Sequence, residues 1–428
     1  MNSTQQKNYT LPIIMMILLF GMISFVTNLA APMGVVLKSQ FGVSNALGML
    51  GNFANFIAYA VMGIPAGKLL EKIGYKKTAL LAIVVGFVGV GIQVLSGVAA
   101  SFAVYLVGAF VAGFSMCMLN TVVNPMLNTL GGGGNKGNQL IQIGGSFNSL
   151  MGTLVPILVG ALVGEVTKAN ITDIYPVMYM AMGIFAIAGI VLSFVNIPEP
   201  HIAKADASLE KSAHSAWSFR HFVLGAIAIG VYVGVEVGIP GTMMLFLSDP
   251  ATGVEGGASS AGVVAGTYWF LMLIGRFIGA SIGAKVSSKT MLTFASGLGL
   301  ILVALAIFSP TSSTISMPVV QTGASISIGM AKVPINAMFL VLCGLCTSVM
   351  WGGIFNLAVE GLGKYVASAS GIFMMMVCGG GIFPLIQNAV ADSAGYLTSY
   401  WVPFISLAYL LYYALVGSKN VNKNIPVD

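Results

Sequence analysis

Charged residues are scarce in this 428-residue chain: only 7% of the residues are charged, whereas 57% are hydrophobic. A soluble globular domain carries about 25% charged residues. So few charges cannot cover a surface that faces water, but they suit a surface that faces lipid, and the mean hydropathy of +0.94 agrees. The composition therefore excludes an ordinary soluble domain and predicts an integral membrane protein.

Cysteine and histidine are also scarce, with four and three residues. All four cysteines lie in apolar stretches, and the pair with metal-ligand spacing, Cys343 and Cys346, has no second pair or histidine nearby. The histidines lie in or beside the polar segment 198–218. Hydrolysis or group transfer needs paired carboxylates, a Ser–His pair or a metal site. We therefore expect no metal, no cofactor and no enzymatic activity.

Apolar runs long enough to cross a bilayer recur along the whole chain. A transmembrane helix needs about 20 such residues, and this rule predicts twelve spans, at 11–37, 46–70, 77–97, 101–129, 140–166, 173–196, 219–248, 259–285, 290–309, 334–360, 366–392 and 397–417. We therefore predict an all-α membrane protein with an N-terminal six-helix bundle at 1–197, a linker at 198–218 and a C-terminal six-helix bundle at 219–428.

Basic residues are distributed unequally between the two sides of the predicted membrane. Of the 18 lysines and arginines, all except Lys38, Lys168 and Lys332 fall on the side of the termini and the linker, Arg276 among them. The positive-inside rule therefore predicts cytoplasmic termini and explains the net charge of +6 without a nucleic-acid partner. Residues 310–333 are expected to form an external loop, with or without a short helix; its role stays open.

The two halves share short patterns at corresponding places. Gly152 precedes Pro156 by four residues in the fifth span, and Gly380 precedes Pro384 by four in the eleventh. This shift of six spans indicates a parallel repeat about an axis along the membrane normal, which places a substrate site between the halves near the midplane.

The connection after the second span resembles a signature loop of the major facilitator superfamily. In that loop a glycine is followed by an acid, a base, a second glycine and a basic pair, represented here by Gly67, Glu71, Lys72, Gly74, Lys76 and Lys77. The resemblance implies a gating loop that holds one side of a transporter shut.

Further stretches resemble the fucose permease and glucose/galactose permease branch of that superfamily. They include Thr27-Asn28-Leu29, Asn124-Pro125, Ser146-Phe147-Asn148-Ser149, Tyr232-Val233-Gly234-Val235-Glu236 and Ile274-Gly275-Arg276-Phe277. The resemblance implies a monomeric secondary transporter that imports a hexose or 6-deoxyhexose across a bacterial inner membrane by alternating access. The identity of the sugar stays open.

Two departures from that branch concern proton coupling. The fucose permease carries one carboxylate in its first helix and one in its fourth, and Ala31 and Asn120 stand in those places here. Proton symport by that route is therefore in doubt. Uniport, proton coupling and sodium coupling all stay open.

Glu236 is the one acidic residue plainly in the middle of a predicted span. A polar side chain at membrane depth is costly unless it is paired or lines water. It could bind a sugar hydroxyl, take a proton or hold a cation; the alternative is a neutral glutamic acid bonded to a neighbouring helix. We favour the first group of roles and name Glu236 as a substrate-binding and coupling residue.

Uncharged polar and aromatic residues complete the candidate substrate site. Amides donate and accept hydrogen bonds at once, as sugar hydroxyls do, whereas the alternative role is bonding between helices. The candidates are Asn28, Asn52, Asn120, Asn124, Gln142, Asn148, Asn356 and, for stacking on a sugar ring, Trp351. A competing function, export of drugs or other amphipathic molecules on the same fold, fits an amide-rich cavity less well.

Overall fold

The computed structural model describes residues 9–41, 50–163, 170–199, 214–249, 257–322 and 326–427. These residues form the helices α1 (Thr10–Phe41), α2 and α3 (together Leu50–Val98), α4 (Phe102–Leu130), α5 (Gly134–Val163), α6 (Tyr175–Phe194), α7 (Arg220–Ser248), α8 (Gly257–Ile282), α9 (Ser288–Phe308), α10 (Ile335–Val359), α11 (Gly363–Ala394) and α12 (Tyr396–Gly417).

Length and composition make nearly all of these helices able to cross a membrane. Among the described residues, ten segments are long and apolar enough to do so, and one of them, Phe53–Val98, has 46 residues and consists of two helices joined at Gly74. The 30-residue helix Gly134–Val163 is also long enough to cross a bilayer. The predicted number of twelve membrane-spanning helices is therefore confirmed.

The turn between α2 and α3 depends on Gly74, whose φ of 85° lies in the left-handed region that favours glycine. The first turn of α3 is then fixed by Glu199, whose carboxylate accepts the backbone N–H of Tyr75 at 2.6 Å and that of Lys76 at 3.0 Å. Lys76 Nζ also donates to the carbonyl of Ser193 at 2.7 Å. These bonds attach the α2–α3 turn to the end of α6.

An even number of crossings places the start of α1 and the end of α12 on one side of the bundle, which we call the terminal face. The α2–α3, α4–α5, α8–α9 and α10–α11 connections lie on the same side. The opposite side is called the far face, and it carries the connection between α9 and α10.

That connection is a β-hairpin rather than a loop with or without a short helix. Strand β1 (Thr314–Thr322) pairs antiparallel with β2 (Ile326–Pro334). Met317, Val319 and Val320 of β1 are buried, so the hairpin is packed against the rest of the protein. The backbone N–H of Val320 donates to Thr267 Oγ1 at 2.9 Å and ties the hairpin to α8.

Small residues allow the closest approach between the first six and the last six helices. Gly63 and Gly67 are four residues apart on α2 and pack against Gly371 of α11. A Cβ atom at Gly63 would lie 2.5 Å from the backbone nitrogen of Met375. Helices in membranes commonly associate through such small-xxx-small patterns because the backbones can touch.

Candidate functional site

A cavity lies between the first six and the last six helices. The part nearer the terminal face has a volume of about 200 Å³ and reaches Asn120, Gln142 and Trp351. The part nearer the far face has a volume of about 350 Å³ and reaches Thr153 and Trp269. The two parts share several lining residues, and their sizes suit a small molecule. Both halves of the chain therefore contribute to one central site.

An ion pair occupies the centre of this cavity. Arg276 Nη2 of α8 lies 3.3 Å from Glu236 Oε1 of α7, and both side chains are largely buried. Arg276 Nη1 also donates to Ser149 Oγ at 2.6 Å and to the Gly145 carbonyl at 3.1 Å, both in α5. The hydroxyl of Tyr232 lies beside the pair. A buried charge without its partner would be strongly unfavourable, so each ion depends on the other.

The position of Arg276 corrects the sequence-based assignment of this residue to the basic surface of the terminal face. It is only 8% exposed and lies six residues before the end of α8, about 9 Å into the membrane-crossing segment. Its pairing with the mid-span Glu236 is what permits a cation at that depth. Arg276 is thus a cavity residue that the candidate set lacked.

Four of the predicted amides line the cavity: Asn28, Asn120, Gln142 and Asn148. Asn28 and Asn148 are each held through the amide nitrogen, which leaves the amide oxygen for a ligand. Asn28 Nδ2 donates to the Ser24 carbonyl at 2.8 Å. Asn148 Nδ2 donates to the Phe20 carbonyl, also at 2.8 Å. The amide oxygens of Asn28 and Asn148 can accept a hydrogen bond from a hydroxyl group.

Gln142 reaches across to the last six helices. Its Nε2 donates at 2.9 Å to the carbonyl of Val349, which lies between the helical segments Ile335–Thr347 and Met350–Val359 of α10. Broken helices in membranes expose carbonyls where they line a cavity or meet a polar partner. The break in α10 therefore supplies both a cavity wall, at Ser348, and an acceptor for α5.

Two predicted site residues do not line the cavity. Asn124 is fully buried beneath it, and Asn356 lies nearer the terminal face, where its Oδ1 accepts Asn128 Nδ2 at 2.6 Å and its Nδ2 donates to Ser288 Oγ at 2.8 Å. Both amides bond across or beside the boundary between the halves, which is the alternative role of amides in membranes. The side chain of Asn52 lies outside the described residues.

Aromatic side chains form part of the cavity wall. Trp351 lines the part nearer the terminal face and packs edge-on against Tyr232 and Phe373, with ring centroids 6.3 Å and 5.9 Å away. Tyr59 and Phe56 of α2 line the same part and were not among the candidates. Their spacing in a long apolar run gave no signal that distinguished them from helix-packing residues.

The predicted gating loop lies at the terminal face, where the halves meet. Gly67 packs on Gly371, and the carboxyl group of Glu71 hydrogen-bonds with Ser368 of α11. Gly74 and Lys76 shape the α2–α3 turn as described above. Lys72 and Lys77 are exposed there.

Further hydrogen bonds join the halves on the same side. Gln139 Nε2 donates to the Ala280 carbonyl at 3.0 Å, and Ser370 Oγ donates to the Thr121 carbonyl at 3.1 Å. With the glycine contacts, these bonds hold the terminal face closed. The lining continues towards the far face by about 15 Å, from Arg276 to Gly266 on α8.

Comparison with known proteins agrees with this architecture. A family model described as Major Facilitator Superfamily matches residues 13–384. A glucose/galactose transporter of Brucella abortus is 31% identical over 98% of this chain and 97% of that protein. The L-fucose-proton symporter of Escherichia coli is 21% identical over 97% of this chain and 95% of that protein.

Solved structures show the same fold. The transporter FucP in its outward conformation superposes with a TM-score of 0.81 at 19% identity, over 96% of this chain and 100% of FucP. The proton:xylose symporter XylE superposes with a TM-score of 0.69 at 13% identity, over 97% of both chains. The twelve helices, the central cavity and the match over most of the sequence lead to one assignment: the chain belongs to the major facilitator superfamily.

Proposed function

We propose that this protein carries a monosaccharide of the hexose or 6-deoxyhexose type across the membrane by alternating access. The observation that carries the proposal is the central cavity, whose wall combines five amides, Asn55 among them, with the ring of Trp351. Amides match the paired donor and acceptor character of sugar hydroxyls, and a flat aromatic ring suits the C–H face of a pyranose. The names of the relatives from Brucella abortus and Escherichia coli support a sugar as the substrate.

Transport would follow from rocking of residues 1–197 against residues 219–428 about the cavity. In the closed arrangement of the terminal face, Gly63 and Gly67 touch α11, and a substrate reaches the site from the far face. Separation of these contacts would open the site to the terminal face. Interfaces that are packed in one of two arrangements give such two-state motion.

The terminal face is proposed to be cytoplasmic in a bacterial inner membrane, so that the described arrangement faces outwards and the protein imports its substrate as a monomer. Although Arg276 lies in the cavity, basic residues still concentrate at the terminal face. Among the other lysines and arginines, the sequence places only Lys38, Lys168 and Lys332 on the far side.

If transport is coupled to a cation, we propose Glu236 as the coupling residue. Ala31 and Asn120 stand where the fucose permease branch has its carboxylates, and Glu236 is the acidic residue among the described cavity-lining residues. A proton or a sodium ion at the Glu236 carboxylate would compete with Arg276 for that carboxylate. Arg276 would keep its bonds to Ser149 and Gly145. Uniport remains the alternative to both forms of coupling.

Calorimetric titration of the purified protein with a panel of monosaccharides tests the proposed substrate class. We expect at least one hexose or 6-deoxyhexose to bind, and the Trp351→Ala variant to bind it at least about tenfold more weakly, because loss of a buried aromatic contact costs more than about 1.4 kcal/mol. The matched control is Trp217→Ala, since Trp217 is half-exposed before α7. Absence of binding by every monosaccharide would contradict the proposal.

A further inference from the structure

The charge of the cavity is set by two residues. Among the described residues that line either part of it, Glu236 and Arg276 are the only ones with a formal charge. Their side chains are in contact, with 3.3 Å between Arg276 Nη2 and Glu236 Oε1. The site therefore contains two full charges at membrane depth but has no net charge.

The arrangement leaves hydrogen-bonding capacity for a ligand. A guanidinium group has five N–H donors. Arg276 uses its Nη1 for Ser149 and Gly145 and one Nη2 donor for Glu236. The Tyr232 hydroxyl also lies beside the guanidinium, and among the described residues the remaining donors make no further hydrogen bond. They can therefore meet the oxygen of a hydroxyl group without disturbing the ion pair.

We propose that the Glu236–Arg276 pair is a charge filter that makes the site select sugars without net charge. The proposal rests on the proposed function as a sugar transporter. A hexuronate would be attracted by Arg276 but would lie beside the Glu236 carboxylate; a protonated amino sugar would be attracted by Glu236 but would lie beside the guanidinium. Neither ligand gains enough to offset the cost of bringing an unpaired charge out of water.

If the pair is such a filter, replacing either charged residue by glutamine should shift the preference of the site towards a sugar of the charge opposite to the residue that remains. Glu236→Gln leaves a lone guanidinium and a site of net positive charge, which should favour an anionic sugar. Arg276→Gln leaves a lone carboxylate, which should favour a cationic sugar. The double variant has no charge at either position, so it should again prefer neutral sugars.

The test is competition by D-glucose, D-galactose, D-glucuronate and protonated D-glucosamine for the neutral sugar bound by the wild type, together with direct titration of each variant. We expect the affinity ratio of glucuronate to glucose to rise at least tenfold in Glu236→Gln. The ratio of glucosamine to glucose should rise at least tenfold in Arg276→Gln, and both ratios should return towards the wild-type values in the double variant. Glu360→Gln, which removes an exposed charge at the terminal face, should change neither ratio.

The possible failures are distinguishable. If the wild type binds a neutral sugar but the single variants keep the wild-type ratios, the filter is wrong and the proposed function stands. Equal affinity of the wild type for glucose and glucuronate also overturns the filter. If the wild type binds no monosaccharide at all, both proposals are wrong. Elution of each variant as the same monodisperse species as the wild type shows that a lost affinity does not reflect misfolding.

Discussion

Trp351 in α10 donates its indole N–H to Asn124 Oδ1 in α4 at 2.9 Å, so that a residue of the cavity wall joins the two halves of the protein. The contact continues within α4, where Asn124 Nδ2 donates to the Asn120 carbonyl at 2.9 Å. Asn120 Nδ2 then donates to the Tyr59 hydroxyl at 2.6 Å. These hydrogen bonds therefore link three cavity residues, Trp351, Asn120 and Tyr59, across the boundary between the halves.

Trp351→Phe should weaken that closed arrangement while keeping an aromatic ring. In the variant, Asn124 Oδ1 would be buried without a partner when the halves are together, at a cost of about 1–3 kcal/mol. This cost applies only to the closed arrangement. We expect the population open at the terminal face to rise by about 5- to 150-fold relative to the closed one. Distances between spin labels on the terminal ends of α4 and α10 measure this shift. Trp217→Phe is the control, and an unchanged distance distribution in Trp351→Phe would show that the bond does not hold the halves together.

Gly63→Ala should prevent closure of the terminal face. A Cβ atom there would lie 2.5 Å from the Met375 nitrogen and 2.7 Å from the Gly371 carbonyl, both backbone atoms, so α2 and α11 must separate. If the terminal face cannot close, the site does not open to the far face. We therefore expect initial uptake from the far side to fall at least about tenfold. Gly183→Ala on α6 is the matched control, since its Cβ meets open space. Normal uptake by Gly63→Ala would mean that this contact is not part of the gate.

Glu199→Gln should lower stability without affecting the cavity. The carboxylate accepts two backbone N–H groups at the start of α3, and loss of a capping interaction there costs about 1 kcal/mol. Thermal unfolding in detergent should show a lower midpoint than for the wild type. Asp392→Asn, an exposed acid in α11, serves as the control and should leave the midpoint unchanged. Equal midpoints for both variants would rule out a stabilising role for Glu199.

Glu236→Gln should separate accumulation from exchange. If a cation drives transport through this carboxylate, the variant cannot accumulate sugar against a gradient, yet it should still exchange labelled for unlabelled sugar at saturating concentration. Accumulation and counterflow in proteoliposomes measure the two properties, with Glu360→Gln as the control. Full accumulation by Glu236→Gln would exclude coupling through this residue.

Much of the fold could be predicted because lipid imposes simple rules. Apolar runs of about 20 residues predict the twelve helices without any knowledge of packing. The β-hairpin formed by Thr314–Thr322 and Ile326–Pro334 was missed because its Ser and Thr residues suggest a loop. The pairing of its strands depends on tertiary contacts such as the bond between Val320 and Thr267.

The site was less predictable, since the sequence shows how deep a polar residue lies in its helix but not which way its side chain points. Asn28 and Asn148 face the cavity, whereas Asn124 and Asn356 lie at similarly polar positions of their helices and bond between helices instead. Arg276 was assigned to the surface because it stands near the end of its span. The signal that could have found it is the mid-span Glu236, since a buried acid calls for a cationic partner.

Uptake of labelled monosaccharides into proteoliposomes that contain only this protein, with proton and sodium gradients imposed separately, tests the proposed sugar transport most directly. We expect at least one hexose or 6-deoxyhexose to enter, excess unlabelled sugar to abolish its entry, and Gly63→Ala to take it up at least about tenfold more slowly. If no monosaccharide moves under either gradient or down its own gradient, while the protein remains folded, then a sugar is not what this cavity carries.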